Sequence, residues 1–300
     1  FEGTNRRDAR GNVEVVHKPI AEVQKVFESN GISSPNFIEY TGTPENAKTF
    51  YDSIQRSKED NPFASAVYVY DVEEYQDMKL FLTEDNQAGF AIKGDDIVSV
   101  FNTKGSPHKA VTIPLIQLAV QNGGRKLDAF DTILPSLYQK SGFRVVSRIG
   151  WNEQEAPPEW DKTLFKAFKE GEPDVVFMVY DPHNFEIYKP TDGIFFKGNG
   201  NKSDYEQALQ YQTVAVDAYG QHFKKTQVKA KLEEGQKFIA DPNAEYSART
   251  QAEKQEAINN LKFEELLTSY VLDPTIGREN LANRIKNDPK LTKMTKDALP

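Results

Sequence analysis

The stretch DTILPSLYQKSGFRVVSRIGW, residues 131–151, decides how the chain is read. Its spacing predicts a short helix over 132–140 that stops at Ser141 and Gly142, with a strand starting directly at Phe143. Glycine at such a stop adopts the left-handed conformation, where any side chain would cost about 1 kcal/mol. Phe143 then turns into the core, and Val145 and Val146 continue as a β-branched strand. Taken alone this is a helix C-cap with one tyrosine, Tyr138, a turn before it. What Tyr138 does depends on the neighbouring elements.

The chain has 300 residues, enough for one large domain or a domain with an appendage. A net charge of -8 argues against nucleic-acid binding through phosphate neutralisation, which needs a basic face. With no cysteine, disulfides, thiolate nucleophiles, iron–sulfur clusters and cysteine-based zinc sites are excluded. His17, His108, His183 and His222 are scattered, so no metal site is expected. No apolar run reaches the roughly 18 residues that span a bilayer, and FEGTNRRDARG has no apolar signal core, so no membrane association is expected. Phe1 in place of methionine suggests a fragment or a processed product.

Residues 1–32 are polar apart from VEVV and VQKVF, and are expected to be a partly ordered lead-in. TPENAKTFYDSIQRSKED (43–60) predicts a helix capped by Thr43, with Pro44 in its first turn and Ala47, Phe50, Tyr51 and Ile54 on one face. SAVYVYD (65–71), MKLFLTED (78–85), AGFAIKGDD (88–96) and IVSVFNT (97–103) are strand candidates joined by short polar turns, which predicts an antiparallel meander. HKAVTIPLIQLAVQNGG (108–124) is helical, starting nearer Thr112 because of Pro114 and ending at Gly123 and Gly124. RKLDAFD (125–131), RVVSRIGW (144–151) and DVVFMVYD (174–181) complete the strands. The sum is an α/β fold with a mixed, mostly antiparallel sheet flanked by helices. Beyond a Gly- and Asn-rich linker at 196–204, residues 203–300 are expected to be a helical C-terminal appendage able to carry protein contacts.

A meander, an apolar strand, a loop, a long helix, a strand, a short helix with Tyr-x-x-x-Gly-Phe and a further strand resemble the GNAT superfamily of acyl-CoA N-acyltransferases. The resemblance covers about residues 35–182. It implies that IVSVFNT splays from RKLDAFD and that the pantetheine arm of acetyl-CoA lies in the gap. Val100, Phe101 and Asn102 would line that arm and offer a backbone N–H to the oxyanion. The loop and helix start at Gly105, Ser106, His108, Lys109 and Ala110 would hold the pyrophosphate. Tyr138 would protonate the departing thiolate, and Asp131 stands where the family has an asparagine. The family's phosphate loop reads Gln/Arg-x-x-Gly-x-Gly/Ala, whereas GSPHKA (105–110) keeps only the final small residue.

The implied reaction is acetyl transfer from acetyl-CoA to an amine of a protein or small molecule. Candidate bases are Asp95, Asp96, Asp128 and Asp131, with His108 as a further one; Asp131 is alternatively the cap of the helix that follows it. GWNEQEAPPEWDKTLF (150–165) reads either as a structural lid or as a wall of the acceptor cleft. DAFD…LY…SGFRVVSRI, APPEW and PDVVFMVYD also look like the acetyltransferase-like domains of large bacteriophage and mobile-element proteins, which implies a bacterial host cytoplasm or a virion. The alternative function is a catalytically inactive module of such an assembly, acting through protein contacts.

Overall fold

The computed structural model describes residues 1–11, 13–29, 31–181, 187–196 and 202–229. Ten strands are described: β1 Glu2–Arg7, β2 Val13–Lys18, β3 Phe37–Tyr40, β4 Lys79–Thr83, β5 Ala88–Lys93, β6 Asp96–Asn102, β7 Lys126–Phe130, β8 Phe143–Ile149, β9 Val175–Tyr180 and β10 Ile194–Phe196. The α-helices are α1 Ala21–Ser29, α2 Pro44–Asp60, α3 Val72–Tyr75, α4 Thr112–Gln121, α5 Leu134–Gln139 and α6 Lys202–Lys229. The strands form one mixed sheet in the order β1-β2-β3-β4-β5-β6-β7-β9-β8-β10. Only the β6–β7 and β8–β10 pairs are parallel.

Two apolar layers follow from the alternation of side chains along each strand. On one face, Phe81, Phe90, Ile97, Leu127, Val176 and Met178 pack with Leu115, Leu118 and Ala119 of α4 and Tyr138 of α5. On the other, Leu80, Leu82, Ala91 and Phe101 pack under Ala47, Phe50 and Ile54 of α2. Each such aromatic or aliphatic side chain contributes about 1.5–3 kcal/mol by burial. Helix α2 begins where Thr43 accepts from the Asn46 N–H at 3.2 Å, with Pro44 in the first turn. After α5 ends at Gln139, a turn runs to Gly142, whose φ of 92° is the left-handed conformation that admits Phe143, fully buried, as the first residue of β8.

Several elements differ from the sequence reading. SAVYVYD does not form a strand: Pro62–Ala66 is a 3-10 turn, and residues 67–71 run irregularly into α3. Side chains replace the ladder there. The Tyr70 N–H donates to the Tyr75 hydroxyl, and the Tyr68 carbonyl accepts from the Ser99 hydroxyl. The lead-in forms a β1–β2 hairpin that joins the sheet through β3, because Val16 and His17 pair with Ile38 and Phe37.

The start of α6 is not detached from the sheet. Tyr205 packs on Phe177 with ring centroids 5.2 Å apart, and Gln212 donates to the carbonyls of Leu127 and Met178. Phe1–Tyr180 and Glu186–Gln212 make one compact unit. The second unit is Asp181–Phe185 and Thr213–Pro300. Most of the expected linker, 197–201, and the expected C-terminal helices beyond 229 lie outside the described residues. Among the described residues no helix is long and apolar enough to cross a membrane.

Candidate functional site

The site begins with an irregularity in β6. On β5 the step from Gly89 to Ala91 faces the longer step from Phe101 back to Val98 on β6, so β6 carries one extra residue. That bulge bends the strand and adds twist. Ser99 sits in it with φ 52°, and its hydroxyl bonds the Tyr75 hydroxyl at 2.8 Å. Gly89 is required opposite, because a Cβ there would lie 2.4 Å from the Phe81 carbonyl oxygen.

The consequence is a gap. Parallel strands β6 and β7 pair only at Asp96 and Lys126, supported by the Arg125 N–H on the Asp95 carbonyl at 2.7 Å. Beyond that point β7 pairs instead with β9 along its whole length, from Lys126 to Phe130. The edge of β6 that carries Val100 and Asn102 therefore has no strand partner on that side among the described residues. Phe101 turns its ring away to pack on Phe50 at 6.0 Å, so it can offer the gap only backbone.

Tyr138 and Asp128, on opposite faces of the sheet, interact electrostatically. Tyr138 rises from the α4–α5 face, 5% exposed, and its hydroxyl has no hydrogen-bond partner among the described residues. Leu127 and Ala129 pack toward that face, so alternation sends Asp128 to the other. Asp128 keeps its side chain exposed to solvent on that face. Burial by its surroundings, then the charge of Asp96, pushes its carboxyl up to about 7, with Lys126 working the other way. Tyr138 is held above the ordinary phenol range by burial and then by the Asp128 charge.

Around Asp128 stand tyrosines that the sequence reading did not single out. Tyr70 and Tyr205 are both raised, by burial first and then by Asp96 and Asp128. Tyr68 meets Tyr70 edge-on at 4.7 Å and is 69% exposed. Two positions along β7, Phe130 begins an aromatic stack in which Trp160 lies 4.6 Å away and Phe165 stacks on Trp160 at 3.9 Å. Trp151 closes it at 5.1 Å from Trp160. The 150–165 segment thus packs its own aromatics and also walls the Asp128 side of β7. A signal existed in sequence: alternation along KLDAF, with Asp between two apolar residues in a strand otherwise destined for the core.

The loop after β6 is the expected phosphate loop. Gly105, Lys104, Lys109 and Ala110 are exposed, and Gly105 and Ala110 have φ of 82° and 52°. The Asn102 side chain donates to the His108 carbonyl at 3.0 Å, while its own buried Oδ1 has no partner. Buried Ser106 accepts from the His108 N–H. The His108 ring pairs with Asp85 at 2.8 Å, so it is held by a partner within the protein. The loop therefore leaves Lys104 and Lys109 as its outward cations, before the open first turn of α4.

Asp131 is engaged elsewhere. Its carboxylate pairs with Arg148 at 2.9 Å and accepts from the Tyr188 hydroxyl, and it does not cap α5, whose first turn has no side-chain cap. Arg148 also reaches Asp174 at 3.2 Å. Asp131 thus belongs to a buried ion cluster that ties β7 to β8, and the gap receives none of its oxygens that the described contacts show. No family model, curated protein or solved structure matches the chain.

Proposed function

We propose that the chain is an acyl-CoA-dependent N-acetyltransferase of the GNAT type. The observation that carries this reading is the gap between β6 and β7, opened by the bulge at Ser99, with the unpaired Tyr138 hydroxyl on one side and Asp128 on the other. It is supported by the order of meander, loop, helix α4, β7, the tyrosine helix α5 and β8. The pantetheine arm occupies the gap, and the pyrophosphate lies against the first turn of α4 with Lys104 and Lys109 beside it.

Transfer is direct. The neutral amine nitrogen attacks the thioester carbonyl, a C–N bond forms and the C–S bond breaks. Asp128 takes the amine proton, for which a carboxyl near 7 is well matched at neutral pH. Backbone N–H groups on the free edge of β6 stabilise the oxyanion. Tyr138 supplies the proton of the thiolate, whose pKa is about 8.5. A raised phenol opposes that donation while Asp128 is charged. Once Asp128 has accepted the amine proton, one of the two causes of the rise is gone.

A second reading, an inactive module that acts through protein contacts, is favoured by the phosphate loop, where His108 is committed to Asp85. Calorimetric titration with acetyl-CoA separates the two. One site per chain supports the enzyme; no heat at millimolar ligand supports the inactive module.

A further inference from the structure

We infer that the chain forms a two-fold dimer in which β1 pairs antiparallel with the β1 of a second copy, centred on Thr4. The inference is independent of the acyltransferase reading.

Strand β1 ends the ten-stranded sheet, and β2 occupies only one of its two edges. The β1–β2 pairing runs without a bulge from Glu2 opposite Lys18 to Arg7 opposite Val13, and every β1 residue is exposed. The strand contains no proline. Its start is held in place. The Phe1 ammonium donates to the Gln121 side-chain oxygen at 2.9 Å, and the Gln121 amide donates back to the Phe1 carbonyl at 2.6 Å. At the opposite end of the sheet β10 is only three residues long. Strand β1 thus presents the longer free row of backbone N–H and C=O groups, a ready template for another strand.

The charges on that edge select the partner. Two antiparallel edges meet with residues of the same hydrogen-bonding phase opposite each other, so a two-fold axis falls on a residue and not between two. With the axis on Thr4, Glu2 lies opposite the second copy's Arg6, and Arg6 opposite the second copy's Glu2. The row across four strands then alternates in sign: Glu14 on β2, Arg6 on β1, then the second copy's Glu2 and Lys18. With the axis on Asn5, Arg6 meets Thr4 and the match is lost. Glu2 is exposed and, among the described residues, takes part in no salt bridge. The Arg6 side chain is 44% exposed and is held extended by Glu14 at 3.0 Å and Glu84 at 2.8 Å. A guanidinium has five N–H donors, which leaves room for a further carboxylate. Opposite charges directly across an antiparallel pair stabilise it and like charges destabilise it, so a strand without this pattern is a poorer fit than a second copy.

Sedimentation equilibrium on the full chain tests this. The expected result is a reversible monomer–dimer equilibrium between about 1 and 100 µM, as suits a small interface. Glu2→Lys, at an exposed position, should weaken the dimer about 10-fold or more, because both charge pairs become repulsive. The chain has no cysteine, so Thr4→Cys is a single reporter of register. Directly opposite Cβ atoms lie about 4.5–5.5 Å apart, so mild oxidation should join two copies of Thr4→Cys by a disulfide faster than two copies of Asn5→Cys. A monomer throughout that range, an unchanged dimer in Glu2→Lys, or faster linking of Asn5→Cys would overturn the inference.

Discussion

Tyr138 and Asp128 belong to opposite faces of one sheet, yet the charge on Asp128 is felt at the Tyr138 phenol. Strands β6 and β7 pair only at Asp96 and Lys126, so beyond that pair the edge of β7 that faces β6 carries no ladder. An acid and a base on either side of a gap suit a reaction in which one proton enters and another leaves.

Tyr138→Phe should lower the turnover of acetyl transfer by roughly 10- to 1000-fold, the size expected for losing a positioned acid. Acetyl-CoA affinity should hardly change. Stability should be unchanged or rise by up to about 1 kcal/mol, because the hydroxyl removed has no partner among the described residues. Full turnover in the variant would take Tyr138 out of the reaction.

Asp128 makes stability depend on pH with a definite sign. Its folded carboxyl, near 7, lies above the ordinary value of 3.8, so the folded state binds the extra proton between those limits. The stabilisation is complete below about 4 and is lost as pH rises through 7. Burial comes first among the causes, then Asp96 on β6 raising it and Lys126 on β7 lowering it; Tyr138 on α5, Tyr70 before α3 and Tyr205 on α6 feel the Asp128 charge in turn. Because the side chain keeps contact with solvent, the effect is screened to about 1 kcal/mol. Asp128→Asn should therefore raise Tm at pH 8 and leave it nearly unchanged at pH 4. On the acyltransferase proposal, the same variant should abolish the rise of kcat/KM near pH 7. A variant with the wild-type pH profile in both measurements would remove Asp128 from this role.

Which parts of this were legible beforehand follows from how local each cause is. The helix stop at Gly142, the Thr43 cap and the meander from 78 to 103 are written in short-range patterns, and each appears where the sequence puts it. SAVYVYD has every local mark of a strand. Its backbone groups are instead met by side chains, Tyr75 five residues on and Ser99 about thirty residues on from them. Strand β1 lies at the sheet edge and is exposed at every position, so no apolar alternation announces it as the partner of VEVV in β2. Strand β10 is three residues long and exists because β8 offers an edge. Asp128 was one of several acidic candidates, and only the gap distinguishes it from Asp131, which Arg148 claims.

Arg148 is the centre of a buried cluster with Asp131 and Asp174, the latter only 2% exposed. Arg148→Met leaves two carboxylates without their main partner and should cost about 3–5 kcal/mol. Chemical denaturation measures it. A loss below 1 kcal/mol would mean that Lys169, which also reaches Asp174, suffices to hold the cluster.

Gly89 faces the bulge, where a Cβ would meet the Phe81 carbonyl oxygen. Gly89→Ala should force β4 and β5 apart and lower Tm, and any acetyl-CoA affinity should fall with it because the bulge shapes the gap. A well-folded variant with wild-type affinity would separate the bulge from the site.

The gap itself is tested most directly by amide hydrogen exchange with and without acetyl-CoA. Protection should increase in residues 98–112, along the free edge of β6 and into the first turn of α4, and in residues 126–130 of β7. The β1–β2 hairpin should exchange as before. Protection confined to other regions, or no change at saturating acetyl-CoA, would contradict placement of the acyl-CoA arm between β6 and β7.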